Sequence, residues 1–236
     1  MTREPGGFWV WFTATVSAAI TRLVSRYRIV GTDRIPAHGP ALLVSNHVSY
    51  LDPVYSGASV YQAGRVPRFL AKHSLWTIPV VCRVMRASGQ IPVSRGSVDA
   101  RHSLHAGIDA LRNGQVVLIY PEGTVTRDPA GWPMRSHTGV ARLALAVDGP
   151  VLPMVHWGTR EVYDHYSRRF RPLPRKRVIV RCGDPIDLTA YRDRPVTAAL
   201  LREVTDHLMD VVRELLAEVR GEPAPQGLNR QESHPT

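Results

Sequence analysis

Cysteine is almost missing from this chain: Cys82 and Cys182 are the only two in 236 residues. Two thiols build neither a disulfide framework nor a cysteine-rich metal site, and the count suits a reducing compartment. Cys82 sits in the apolar run Ile78-Pro79-Val80-Val81-Cys82, which reads as packing. Aromatics are sparse at 7% and are not interleaved with the arginines, so a base-stacking nucleic-acid surface is not expected. No Gly-x-Ser-x-Gly elbow is present, which leaves a serine-hydrolase reading without its nucleophile. The ten histidines are dispersed, so a zinc site is a poor reading and no metal is implied. Acid is also in short supply. Twenty Asp and Glu face thirty Lys and Arg, a formal net charge of +10. That balance predicts attraction to polyanions, of which an anionic membrane and a polyphosphate-bearing substrate fit better than nucleic acid.

With 44% hydrophobic residues the chain can bury one substantial core without needing two domains. Apolar runs at 27–30, 41–45, 67–71, 89–93, 115–120, 150–156 and 177–182 read as strands. Helical patterns lie between several of them, at 53–62, about 75–86, 98–112 and 138–148. Such alternation predicts a single α/β domain with a mostly parallel central sheet covered by helices on both faces. Residues 196–219 carry Leu200, Val204, Leu208, Val211, Val212, Leu215 and Leu216 near one side, an amphipathic helix expected to pack on that sheet.

The run Ser45-Asn46-His47-Val48-Ser49-Tyr50-Leu51-Asp52-Pro53 follows the apolar segment 41–44. Imidazole exchanges a proton near neutral pH, and a carboxylate beside it can fix the tautomer and stabilise the imidazolium. On one continuous helix, residues five apart diverge by about 140°. His47 and Asp52 can meet only if His47 ends a strand and Asp52 opens the next helix across a tight turn. A plainer alternative makes Ser49-x-x-Asp52 a helix-capping box, with Pro53 in the first turn, and leaves Asn46-His47 unexplained. Downstream, Tyr120-Pro121-Glu122-Gly123-Thr124 ends another buried strand, where open α/β sheets place ligand-binding groups. Lys72 and Arg95 supply single cations at two other strand ends.

Four segments in this order resemble the 1-acylglycerol-3-phosphate acyltransferase family, over about residues 26–185. Asn46-His47-x-Ser49-x-x-Asp52 matches the first family block and Gly89-x-Ile91-x-Val93-x-Arg95 the second. Tyr120-Pro121-Glu122-Gly123-Thr124 matches the third and Val151-x-Pro153-Met154-Val155 the fourth. The resemblance implies an enzyme that moves a fatty acyl group from acyl-CoA, or acyl carrier protein, to a glycerol hydroxyl of lysophosphatidic acid, with no cofactor. His47 is then the general base and Asp52 its orienting acid. Arg95 becomes the phosphate ligand, with Lys72 a further substrate cation. Glu122, Gly123 and Thr124 shape the acceptor site. Ser49 caps the helix or binds ligand, and Asn46 or backbone N–H groups stabilise the oxyanion. Two positions depart from the pattern. Val125 stands where an arginine commonly follows the Glu-Gly-Thr triplet, with Arg127 two places on, and His137 stands where a lysine is usual. These leave open another lysophospholipid or a glycolipid as acceptor, and a non-catalytic membrane-surface protein is the rival from a different class.

The chain ends read as appendages to a domain spanning 26–220. No charge interrupts residues 6–21, and Phe8-Trp9-Val10-Trp11-Phe12 packs four aromatics into five positions. As a helix this run is about 24 Å long, short of a bilayer core of about 30 Å, so residues 1–25 are expected to lie at a membrane interface rather than cross it. A signal peptide, against which the weakly charged leader Thr2-Arg3-Glu4 and the missing disulfide framework argue, and packing over the core are the alternatives. Arg168-Arg169-Phe170-Arg171-Pro172-Leu173-Pro174-Arg175-Lys176-Arg177 holds six cations in ten residues and suits an anionic membrane or a solvated loop. A peripheral or monotopic place on the cytoplasmic face of the cell membrane follows as the expectation. Proline, glycine and polar residues from Gly221 predict a disordered tail over 221–236.

Overall fold

The computed structural model describes Glu4, residues 6–93 and residues 97–225, without the side chains of 97–100. Helix α1 (Gly7–Val24) runs directly into strand β1 (Ser25–Val30). There follow β2 (Ala41–Ser45), α2 (Asp52–Gln62), β3 (Pro67–Lys72), α3 (Pro79–Ala87), β4 (Ile91–Val93) and α4 (Ser97–Arg112). Next come β5 (Val116–Ile119), α5 (Gly139–Ala146), β6 (Val151–Trp157) and α6 (Thr159–Val162). The chain continues through β7 (Tyr163–Asp164), β8 (Arg169–Phe170), β9 (Lys176–Cys182), α7 (Thr189–Arg192) and α8 (Ala198–Arg220).

One sheet takes the order β1-β9-β6-β2-β5-β3-β4. From β6 to β4 every pairing is parallel, so the expected mostly parallel sheet is present. At the other edge β9 runs antiparallel to β6 and carries β1 parallel to itself. Between β6 and β9 the chain makes a small β7–β8 hairpin, which is too short to leave a pattern in the sequence.

The apolar runs of β2, β5 and β6 are unbroken because these strands bury both faces. Leu42, Val44, Val117, Val151 and Val155 point to a core shared with α4, α5 and α8. Ala41, Leu43, Val116, Leu118, Leu152 and Met154 point the opposite way, to a core that takes Val24 of α1 and Tyr55 and Val60 of α2. The period of two along a strand makes this division. Helix α8 supplies Leu200, Val204, Leu208, Met209, Val212 and Leu216 to the first core. Thr197 caps its start by accepting from Leu200 N, and Gly221, at φ 71°, closes its end in the left-handed conformation that favours glycine.

Two helices differ from expectation. The helix expected from about 75 begins at Pro79, preceded by a 3₁₀ turn at His73–Thr77, because Ile78 before the proline is extended and Pro79 has no N–H to continue a helix. Helix α1 extends to Val24, and at 18 residues it is long and apolar enough to cross a membrane, which the 16-residue uncharged run was not. It packs on α2 and α3 through one stripe including Val10, Thr21 and Val24. Phe8, Trp11, Phe12, Val16, Ile20 and Leu23, the last 74% exposed, form the outward stripe. The tail expected over 221–236 lies outside the described residues from 226 onward.

Candidate active site

Strands β2 and β5 are neighbours, yet the helices that follow them, α2 and α5, lie on opposite faces of the sheet. A crevice must open where two adjacent parallel strands send their chains apart, at their carboxyl ends. His47 and Glu122 stand there, each shortly after its strand.

His47 leaves the end of β2 and Asp52 is the first residue of α2, with the turn between them closed by Asp52 N donating to Ser49 O at 3.0 Å. The side chains therefore converge as the spacing required: His47 Nδ1 lies 2.9 Å from Asp52 Oδ2. The same oxygen accepts the backbone N–H groups of Val48 at 2.7 Å and Ser49 at 2.8 Å. Thr159 donates its hydroxyl to the other oxygen, Oδ1, at 2.5 Å. Burial by itself would push the Asp52 carboxyl up. The His47 hydrogen bond, the neighbouring His156 and the Thr159 hydroxyl outweigh it and hold the carboxyl below its ordinary value. An ionised Asp52 accepts from Nδ1–H, which leaves His47 Nε2 with a free lone pair. The ring stacks on Tyr120 at 4.4 Å between centroids, and the His47 side chain is 11% exposed.

The His47 backbone is held as firmly as its ring. Its N–H donates to Glu122 Oε1 at 3.1 Å and its carbonyl accepts from Thr126 N at 2.7 Å. Glu122 Oε2 accepts from Met134 N at 3.0 Å, so one carboxyl joins the His47 turn to the loop before α5. Complete burial pushes the Glu122 carboxyl up to about 8, against the two backbone donors that favour its charge.

On the other side of β2, Asn46 replaces a strand with a side chain. Its Oδ1 accepts from His156 N at 2.8 Å and its Nδ2 donates to His156 O at 3.1 Å. The amide continues the β2–β6 ladder after the backbone of β2 has turned away, which leaves β6 satisfied while His47 departs. His156 places its ring between Ser45 Oγ, at 3.1 Å, and Ser56 Oγ, at 2.8 Å. Burial lowers its pKa to about 4, so the ring is neutral at physiological pH.

A sequence model described as Acyltransferase matches residues 26–157, the span from β1 to the end of β6 that carries all of these groups except Thr159. The chain belongs to the acyltransferase family. The resemblance to the 1-acylglycerol-3-phosphate enzymes is borne out by the relatives. The chain is 31% identical over 189 residues to N-acylphosphatidylethanolamine synthase of Arabidopsis thaliana, covering 75% of this chain and 66% of that protein. It is 29% identical to the 1-acyl-sn-glycerol-3-phosphate acyltransferase of Borreliella burgdorferi, covering 57% of this chain and 52% of that one. The chain thus spans between about half and two thirds of the length of these relatives. The crystal structure of the 1-acyl-sn-glycerophosphate acyltransferase of Thermotoga maritima shares the fold, with a TM-score of 0.69, 22% identity, and 92% of this chain and 81% of that chain covered.

The acyltransferase site differs from the sequence expectation at several residues. Asn46, expected at the oxyanion, is buried and gives its oxygen and one of its two N–H groups to His156 of β6. Ser49 does not cap α2. Leu51 occupies the cap position, and the buried Ser49 hydroxyl donates to Tyr163 O at 2.7 Å. Only the returning half of a capping box forms, with Asp52 accepting from Ser49 N. Glu122 faces His47 and Met134 rather than an open acceptor cavity. Gly123, at φ 69°, is exposed and lies under the His137 ring, while Thr124 is half-buried. Lys72 is exposed at the end of β3. Arg95 lies outside the described residues. Val125 is 1% exposed, so the position where arginine is common points into the core, while Arg127 is exposed. A cleft of about 260 Å³ opens beside Val48, between the loop at 129–131 and a wall that includes Arg160, Arg169 and Arg171.

His156, Thr159 and Ser56 had no motif to announce them. A histidine and a threonine flanking the end of an apolar strand were the only available sign. Among the described residues no three His, Cys, Asp or Glu side chains converge as metal ligands. Cys182 is buried in β9, where desolvation pushes its thiol up to about 12, and Cys82 lies in α3. Neither belongs to the His47 turn.

Proposed function

We propose that this acyltransferase esterifies a glycerol hydroxyl of lysophosphatidic acid with a fatty acyl group taken from acyl-CoA or acyl carrier protein. The observation that carries the reading is the 2.9 Å contact between His47 Nδ1 and a buried, multiply hydrogen-bonded Asp52. His47 Nε2 removes the proton from the acceptor hydroxyl as its oxygen attacks the thioester carbonyl carbon. Collapse of the tetrahedral adduct breaks the C–S bond, and the leaving thiolate takes the proton from His47. Asp52 remains ionised and stabilises the imidazolium. A thioester is already activated, so no cysteine nucleophile is needed. With Asn46 committed to β6, oxyanion stabilisation falls to backbone N–H groups.

The acceptor phosphate calls for cations. Arg95, from the second family block, and Lys72, exposed at the end of β3, are the candidates, and the exposed Arg127 stands two places after Val125. A second acceptor class, a different lysophospholipid such as one with an ethanolamine headgroup, is favoured by one specific departure: Val125 is core, and the cation common at that position in the lysophosphatidic acid pattern is absent there. The relationship to N-acylphosphatidylethanolamine synthase agrees with that alternative. The outward apolar stripe of α1 and the basic segment 168–177 support a peripheral or monotopic place on the cytoplasmic face of an anionic membrane, where a lipid acceptor would reside.

The test is to incubate purified protein with labelled acyl-CoA or acyl carrier protein and a panel of acceptors, and identify the product. Phosphatidic acid from lysophosphatidic acid supports the first reading. Preferential acylation of lysophosphatidylethanolamine selects the second, and no transfer to any acceptor contradicts both.

A further inference from the structure

The two oxygens of Asp52 are served from different parts of the chain. Oδ2 takes His47 Nδ1 and the N–H groups of Val48 and Ser49, all from the turn that Asp52 itself closes. Oδ1 takes the hydroxyl of Thr159, 107 residues downstream, at 2.5 Å. Both partners are fully buried. A buried threonine can satisfy its hydroxyl locally, as Thr205 does on Leu201 O one helical turn back. Thr159 reaches across to another element instead. It also lies two residues beyond the span matched by the family model, which ends at 157.

We infer that Thr159 is a positioning residue for acyl transfer: its hydroxyl fixes the rotation of the Asp52 carboxylate and, through it, the orientation of the His47 imidazole. The inference rests on the reading of His47 as general base. A carboxylate held through one oxygen can turn about its Cβ–Cγ bond and carry the imidazole with it, whereas donors on both oxygens fix its plane.

The surrounding chain holds Thr159 to this task. It opens α6 directly after Gly158, whose φ of 88° favours glycine and whose missing Cβ would run into the Arg177 carbonyl of β9. At the far end of α6, Tyr163 O accepts the Ser49 hydroxyl at 2.7 Å. The short helix is therefore fastened to the His47–Asp52 turn at both ends, once through Thr159 and once through Ser49. Residues on either side of Thr159, Gly158 and Arg160, line the neighbouring cleft, while the Thr159 hydroxyl faces inward to Asp52.

The experiment compares wild type, Thr159→Val, Thr159→Ser and His47→Ala, measuring kcat and KM across the pH range together with the downfield NMR signal of the His47 Nδ1 proton. Valine keeps the shape and removes the donor. Loss of one hydrogen bond to a charged group predicts a fall in kcat of roughly tenfold to a hundredfold in Thr159→Val, with KM nearly unchanged. The Nδ1 signal shifts or broadens, and Thr159→Ser restores both the signal and kcat. If Thr159→Val does not yield folded protein, Thr159→Ala carries the same prediction. An inactive His47→Ala beside an unchanged kcat and unchanged Nδ1 signal in the Thr159→Val variant overturns this inference alone. Wild-type turnover in His47→Ala overturns the general-base reading and this inference with it.

Discussion

Glu122 Oε1 accepts the backbone N–H of His47 at 3.1 Å, so the end of one strand is positioned by a carboxyl from its neighbour. The other oxygen holds Met134 N, and a single side chain thereby fixes both the base and the loop leading to α5.

Glu122→Gln disturbs this arrangement because an amide offers one acceptor where two backbone donors converge. A buried N–H left without a partner costs about 1–3 kcal/mol, so the variant should be destabilised by that order, and activity should fall with it. The pH dependence gives a separate readout. With the folded carboxyl near 8 and the unfolded one near 4.5, the native state holds the extra proton between those values. Glu122 therefore favours the fold least above pH 8: its contribution is fully present below about 4.5 and declines as pH rises through 8. Denaturant titrations at several pH values should show that decline in wild type and lack it in Glu122→Gln. An identical slope between pH 4.5 and about 8 in both proteins would exclude Glu122 as its source.

His156 acts in the opposite direction. Its folded value of about 4 lies below the unfolded 6.5, so the native state resists protonation. Its contribution is present above about 6.5 and is lost as pH falls toward 4. His156→Gln should flatten the acid side of the stability curve, at some loss of stability at neutral pH from the disturbed bonds to Ser45 and Ser56. Persistence of the full acid slope in the variant assigns it to other groups.

Cys82→Ser and Cys182→Ser should retain turnover, since Cys182, with its thiol raised to about 12, is a poor nucleophile and the proposed attack is direct. Mass spectrometry after rapid quenching should find no acyl group on either thiol. A kinetically competent acyl-cysteine would contradict direct transfer.

The outward stripe of α1 predicts vesicle binding that survives salt. Phe8, Trp11 and Phe12 are exposed on the helix, while the 168–177 cations attract anionic lipid with a strength that salt screens. Replacing the three aromatics with serine should abolish flotation with neutral vesicles and make binding to anionic vesicles salt-labile. Equal flotation of variant and wild type in both conditions would move membrane contact elsewhere.

The sheet was legible because strands buried on both faces read as unbroken apolar runs, and the His47–Asp52 pair because a separation of five forces a turn between them. The supporting contacts were not. Asn46–His156 and His47–Glu122 depend on β6, β2 and β5 being neighbours, an order that sequence spacing does not dictate. Ser49 looked like a cap because it stands three residues before Asp52, yet its hydroxyl turned to Tyr163 when α6 packed beside it. Thr159 had no local pattern at all, since its partner lies 107 residues away.

The central claim is that His47 is the base for acyl transfer, and the most direct measurement is kcat for His47→Ala on the preferred acceptor, with folding checked by thermal denaturation. Removal of a general base predicts a loss of roughly 10²–10⁴-fold in kcat at a melting temperature close to that of wild type. Turnover near the wild-type rate in the folded variant would contradict the account.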